Sequence, residues 1–190
     1  MVVGYTRFMD KAGKLSAIAK LIATCRECKV GKSGLPVPGE GSPDARVVFL
    51  GEAPGKTEAA TGRPFVGRSG KLLRTFIREA GFTEEEVYIT SPVKYLPDRG
   101  TPTKKDIKHG KVHLAKQLAV IQPSYVVLMG ATAVYAMFER TMPIMKVHGS
   151  IIKENGLTFI VMLHPAAVLR FPKYAPLMKE DFRKLAALVS

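Results

Sequence analysis

The sequence predicts an α/β protein, a three-layer α/β/α sandwich around a mainly parallel four-stranded sheet. Three observations carry this. Short apolar runs alternate with amphipathic stretches along the chain, the pattern of repeated β–α units. At least two of those runs end in glycine- or proline-marked loops, at Gly51 and His164, where parallel sheets place their ligands. The 190 residues, 46% of them hydrophobic, suit one core, so a single domain over 1–190 is expected.

Residues 12–24 carry Leu15, Ile18, Ala19, Ile22 and Ala23 at helical spacing, which predicts a helix leading into Cys25. Residues 30–45 are rich in Gly, Pro and Ser and read as a surface loop. Val47–Leu50 reads as a short buried strand, and residues 51–67 form a loop long enough to suggest a function. Lys71–Ala80 follows as a helix closed by Gly81. Val87–Thr90 is a second strand, ending in Ser91-Pro92, and 96–102 is a loop. Residues 103–121 form a helix with Thr103 as N-cap and with Ile107, Val112, Leu114 and Leu118 inward. Ser124–Met129 is a third strand, and Gly130 turns it into the helix Ala131–Phe138. Residues 144–153 and 157–163 are two strands joined at Glu154-Asn155-Gly156. A last helix runs from about Pro176 to Leu188.

Lys and Arg number 29 against 16 Asp and Glu, a net charge of +13 spread along the chain. That favours a polyanion partner, nucleic acid first, over a protein that is simply basic and soluble. No apolar stretch approaches a membrane span, and no secretory signal is legible at the N-terminus. A cytoplasmic monomer without membrane attachment is the expectation. The scarcity of Asn and Gln and the absence of Trp point to a thermophilic source. The two cysteines, Cys25 and Cys28, form a C-x-x-C, too few for a disulfide framework and without a thioredoxin-like context.

Gly51-Glu52-Ala53-Pro54-Gly55, followed by Gly62-Arg63-Pro64-Phe65-Val66-Gly67, sits between a strand and a helix. Its glycines admit close backbone approach, and the helix start offers N–H groups. With His164-Pro165-Ala166 and Leu169-Arg170 further on, this pair of motifs resembles the uracil-DNA glycosylase superfamily, in particular its family 4. The likeness runs from Cys25 to about Leu185.

The resemblance implies hydrolysis of the N-glycosidic bond of uracil, or a related deaminated base, flipped out of DNA. It implies a monofunctional DNA repair enzyme leaving an abasic site. His164 would donate to the base's carbonyl oxygen as charge develops, and Glu52 would help hold water. Gly51, Ala53, Pro54 and Gly55 would contact the base, Phe65 would stack on it, and Glu58 would line its C5 edge. Pro165, Ala166, Leu169 and Arg170 would meet DNA, the last two as a wedge. The better-known uracil glycosylases carry Asp where this chain has Ala53, so acceleration would rest on leaving-group stabilisation.

The chain departs from family 4 at three positions. Ser91 stands where an Asn amide is usual. The family holds a [4Fe-4S] cluster on four cysteines. Cys25 and Cys28 match the first pair, but Tyr95 and Gly110 occupy the other two positions. Three readings of the pair stand open. The first, which the sequence favours, is a vestigial pair without metal. The second is zinc on Cys25, Cys28, His109 and His113, since the two histidines share a helix face; against it, His109 is turned about 100° from position 110. The third is a cluster degraded or completed by a partner. The alternative function is a weakened paralogue that binds damaged or single-stranded DNA.

Overall fold

In the computed structural model, which describes residues 9–190, the chain opens with α1 (Lys11–Thr24), capped by the Asp10 side chain on the Gly13 N–H. A short α2 (Arg26–Lys29) and two-residue strands β1 (Lys32–Ser33) and β2 (Glu40–Gly41) follow. Next come β3 (Val47–Leu50), α3 (Lys56–Thr61), α4 (Arg68–Glu79), a 3₁₀ turn at Glu84–Glu86, β4 (Val87–Thr90) and β5 (Leu96–Pro97). The second half is α5 (Lys104–Ile121), β6 (Tyr125–Met129), α6 (Ala131–Phe138), α7 (Ile144–Val147), β7 (Ile151–Glu154) and β8 (Leu157–Met162). It closes with α8 (Pro165–Arg170), a 3₁₀ turn at Pro172–Tyr174 and α9 (Ala175–Val189). Residues 1–8, included in the expected domain and in the reading of the N-terminus, lie outside the described residues.

The main sheet has the order β2-β4-β3-β6-β8-β7. Its centre, β4-β3-β6-β8, is the expected parallel set. Antiparallel edges β2 and β7 widen it to six strands where four were expected. Each central strand is buried on both faces, so it reads as a continuous apolar run. Val47, Phe49, Val127, Met129, Ile160 and Met162 face Leu73 and Phe76 of α4 and Phe182 and Leu185 of α9. Val48, Leu50, Val126, Leu128 and Val161 face Leu114 and Ile121 of α5 and Ala133 and Val134 of α6. The two-residue alternation of a strand thus sorts one run into two helix layers.

Two expectations change. Residues 144–147 are a helical turn, and the strand begins only at Ile151. Val112 is 54% exposed, because it lies about 200° round the helix from Leu114; Ile107, Gly110, His113 and Gln117 share the inward face instead.

A buried lysine joins the sheet to its edge. Lys94 Nζ donates to Pro38 O (2.9 Å), Thr90 Oγ1 (2.7 Å) and Gln117 Oε1 (2.7 Å). Burial pulls its pKa down to about 7, while three oxygen acceptors favour the charged form. Replacing it removes the donor and strands buried acceptors. Lys94→Met is therefore expected to destabilise folding by about 2–4 kcal/mol, read as a lower urea midpoint at unchanged slope; an unchanged midpoint would show the network to be dispensable.

Candidate active site

Beyond the carboxyl ends of β3, β4 and β8 lies a cavity of about 220 Å³. It is lined by Glu52, Ala53, Pro54, Gly55 and Glu58 from one motif and by His164 from the other, with Phe65 and Ser91 between them. The volume is below the roughly 300–1,000 Å³ of sites for drug-sized ligands, and suits one small ring. Pro64 of the same motif, Val37, Ser69, Leu96 and Gly100 complete the wall, and the sequence did not mark the last four. Val37, Leu96 and Gly100 come from segments that read as plain loops, with no chemical signal to raise them.

Phe65 has φ 50°, a left-handed conformation that an aromatic residue holds only when its surroundings impose it. The surroundings do so. Arg74 donates to Phe65 O (3.2 Å) and to Pro64 O (3.3 Å). The ring lies against Gly51, where a Cβ would come within 2.4 Å of it, and a Cβ at Gly70 would meet the Phe65 carbonyl carbon at 2.0 Å. The result is a ring whose centroid is 5.9 Å from that of His164.

Glu58 lines the cavity but does not offer it a carboxylate freely. Its oxygens accept from the N–H groups of Gly55 (3.2 Å), Val66 (2.9 Å) and Gly67 (2.7 Å). Its first task is to hold the two ends of the glycine loop together. Glu52 sits beside His164 and accepts from Thr132 Oγ1 (2.7 Å) at the start of α6.

His164 caps α8: its Nδ1 accepts from the Ala166 N–H at 3.2 Å. An accepting Nδ1 leaves the proton on Nε2. Burial holds the imidazole below its usual pKa, and the Glu52 charge opposes this. His164 is thus a neutral N–H donor on the cavity wall.

Ser91 is 5% exposed and donates its hydroxyl proton to Val93 O (2.7 Å). Only oxygen lone pairs remain for a ligand. An Asn amide would both donate and accept.

Of the residues expected to meet DNA, Pro165 is buried as the first residue of α8, where its fixed φ starts the helix. This gives it a structural reason of its own beside the expected DNA contact. Ala166, Leu169 and Arg170 are exposed. Phe171, unmarked by the sequence, is 45% exposed beside Leu169 at 37%. The Arg170 guanidinium stands 5.5 Å from the Phe171 ring centre.

On the far side of α5, Cys25, Cys28, His109 and His113 come together, with one ligand atom of each within 4.8 Å of all the others. The rotation that was expected to carry His109 away does not, because α2 brings the cysteines to the face that His109 and His113 share. The residues do not fit a four-thiolate cluster. A Cβ at Gly110 would lie 2.0 Å from Pro92 O, and Tyr95, 1% exposed, fills its position with a ring packed on Ile22 and Cys28.

The fold is a parallel α/β sandwich with a one-ring cavity at its strand ends, a neutral histidine on the wall and exposed apolar and basic side chains beside it. Comparison with known proteins places the chain in a family. The family model "Uracil DNA glycosylase superfamily" matches residues 38–187. A type-4 uracil-DNA glycosylase of Sulfurisphaera tokodaii is 35% identical over 92% of this chain and 84% of its own length. That of Archaeoglobus fulgidus is 34% identical over 92% of both chains, and that of Thermotoga maritima 37% identical over 82% of this chain and 83% of its own. The chain belongs to the uracil-DNA glycosylase superfamily. No helix among the described residues is long and apolar enough to cross a membrane.

The depressed His164 pKa gives a signed expectation. A proton-detected titration of the imidazole should show a midpoint below the ordinary 6.5. The unfolded chain then binds the proton more readily, so this group's share of stability is present above about 6.5 and is lost as pH falls from there through the folded pKa. A midpoint above 6.5 would mean that Glu52 outweighs burial.

Proposed function

We propose that the protein hydrolyses the N-glycosidic bond of uracil, or of a related deaminated base, flipped out of DNA, and leaves an abasic site. The observation that carries this is the meeting of Glu52–Gly55, Phe65 and His164 on one small cavity. The base enters the cavity against the Phe65 ring, while Leu169 and Phe171 occupy the stack it has left. The C1′–N bond breaks with its electron pair passing to the base. His164 Nε2–H donates to the carbonyl oxygen where that charge gathers, a donor set in place before the reaction and shielded from water. Water adds to C1′ and loses a proton, with the carboxylate of Glu52 the acidic group nearest His164 to receive it. Ala53 offers no base. The excess of 13 positive charges supplies sequence-independent attraction to the phosphates.

Ser91 supports a second reading. With its proton committed to Val93 O, the wall lacks the donor of a paired amide. That fits a wider base preference, or a paralogue that binds damaged or single-stranded DNA with little turnover.

Purified protein in excess over uracil-containing oligonucleotides, single- and double-stranded, should yield alkali-labile sites. No product would leave the binding reading. His164→Ala should slow single-turnover excision at least about tenfold, or about 1.4 kcal/mol of barrier; an unchanged rate would remove His164 from catalysis. Ser91→Asn should raise uracil release, and a panel of deaminated bases measured alongside it would show whether specificity narrows.

A further inference from the structure

We propose that Cys25, Cys28, His109 and His113 bind a single Zn²⁺ ion that ties the N-terminal helices to α5. Both cysteines are free thiols. Cys25 Sγ lies 3.2 Å and Cys28 Sγ 3.3 Å from His109 Nε2. Zn–S near 2.3 Å and Zn–N near 2.0–2.1 Å at a tetrahedral angle put sulfur and nitrogen about 3.5 Å apart. The four side chains therefore stand close to the edges of one tetrahedron. All four ligand atoms within 4.8 Å of one another leave room for one ion and none for a multinuclear core.

Two further observations point to a ligand. His113 Nδ1 is the one buried side-chain nitrogen or oxygen atom without a hydrogen-bond partner among the described residues. Such an atom is costly unless something not yet counted takes it up. The second concerns His109. With Nε2 toward the sulfurs, its other nitrogen, Nδ1, lies 3.4 Å from Glu27 Oε2. A metal-bound histidine ordinarily carries such a carboxylate on its free nitrogen, which fixes the ring and raises its basicity.

The set is closed. Four protein ligands leave no position for water, so the ion is structural rather than catalytic. Cys25 ends α1 and begins α2, Cys28 lies within α2, and both histidines belong to α5. One ion thus joins three helices beside the small apolar cluster of Ile18, Ile22, Cys28 and Tyr95, against which Val120 of α5 packs. Zinc with two thiolates and two imidazoles needs no inorganic sulfide, and neither Tyr95 nor Gly110 is asked to contribute.

The test is metal content and binding, independent of glycosylase activity. Elemental analysis of the full chain purified from zinc-supplemented medium should give about one zinc per chain, with neither iron nor acid-labile sulfide. Metal-free protein titrated with Co²⁺ should show the intense visible bands of tetrahedral cobalt with thiolate charge transfer. Glu27→Gln, an exposed change that leaves all four ligands, should weaken Zn²⁺ binding about tenfold in competition with a chromophoric chelator. Cys25→Ser/Cys28→Ser should abolish the cobalt bands. Iron with sulfide in the purified chain, octahedral cobalt spectra, or Zn²⁺ binding by the intact folded chain no tighter than by the double variant would each overturn the proposal.

Discussion

The cavity depends on one carboxylate. Glu58, in the first turn of α3, reaches back to the Gly55 N–H and forward to the N–H groups of Val66 and Gly67. Three backbone donors that would otherwise face an apolar interior are satisfied by a single group. The two ends of a long loop are thereby tied to one carboxylate. The approach is so close that a Cβ at Gly55 would sit 2.8 Å from the carboxylate. Phe65 follows from this clamp. Its left-handed backbone is held by Glu58 on the next residue's N–H and by Arg74 on its own carbonyl. Arg74 in turn is anchored by Glu40 of the edge strand β2 at 3.1 Å, and Glu40 also takes both prongs of the Arg63 guanidinium. The Phe65 ring is thus fixed by charge pairs that begin at the rim of the sheet.

The histidine is fixed by a different device. Backbone geometry at the end of β8 turns the chain into α8, and His164 caps that helix with Nδ1. A helix N-cap normally offers an oxygen; using an imidazole nitrogen selects the tautomer as well. Burial then keeps the ring neutral. A neutral donor is weaker than an imidazolium, but its N–H is available across the neutral range. In the proposed reaction, with Ala53 in place of a carboxylate, most of the barrier reduction falls to this donor.

Much of this was legible in the chain. The four central strands announce themselves as short apolar runs, and both motif loops follow such runs directly, so the cavity's two principal walls could be named from sequence. What could not be read depends on side-chain partners. Glu58 looks like a surface charge until its three N–H groups are in place. Ser91 looks like a polar substitute for Asn until its proton is found on Val93 O. Pro165 looks like loop and is a buried helix start. Strand β2 is two residues in a stretch of glycine and proline, with no alternation to betray it, and Val37 reaches the cavity only because its N–H pairs with Lys94 O (2.8 Å). The convergence of His109 with the cysteines turns on a one-turn helix, α2, too short to carry a periodic signal.

The segment from Ser91 to Leu96 links the two centres. Ser91 and Leu96 line the cavity. Between them, Val93 packs on Ile107 and Ala53, Lys94 ties β4 to Gln117 of α5, and Tyr95 packs against Cys28 and reaches the carbonyls of Ile22 and Ala23 at 3.4 Å. The stretch bends at Pro92 and Tyr95, so six residues line the cavity with Ser91 and Leu96 and meet the cysteine–histidine cluster with Tyr95. Close packing transmits displacement rather than absorbing it. Tyr95 packs on the helices that carry the cysteines, and its neighbour Leu96 lines the cavity, so the Cys–His cluster and the cavity share one backbone segment.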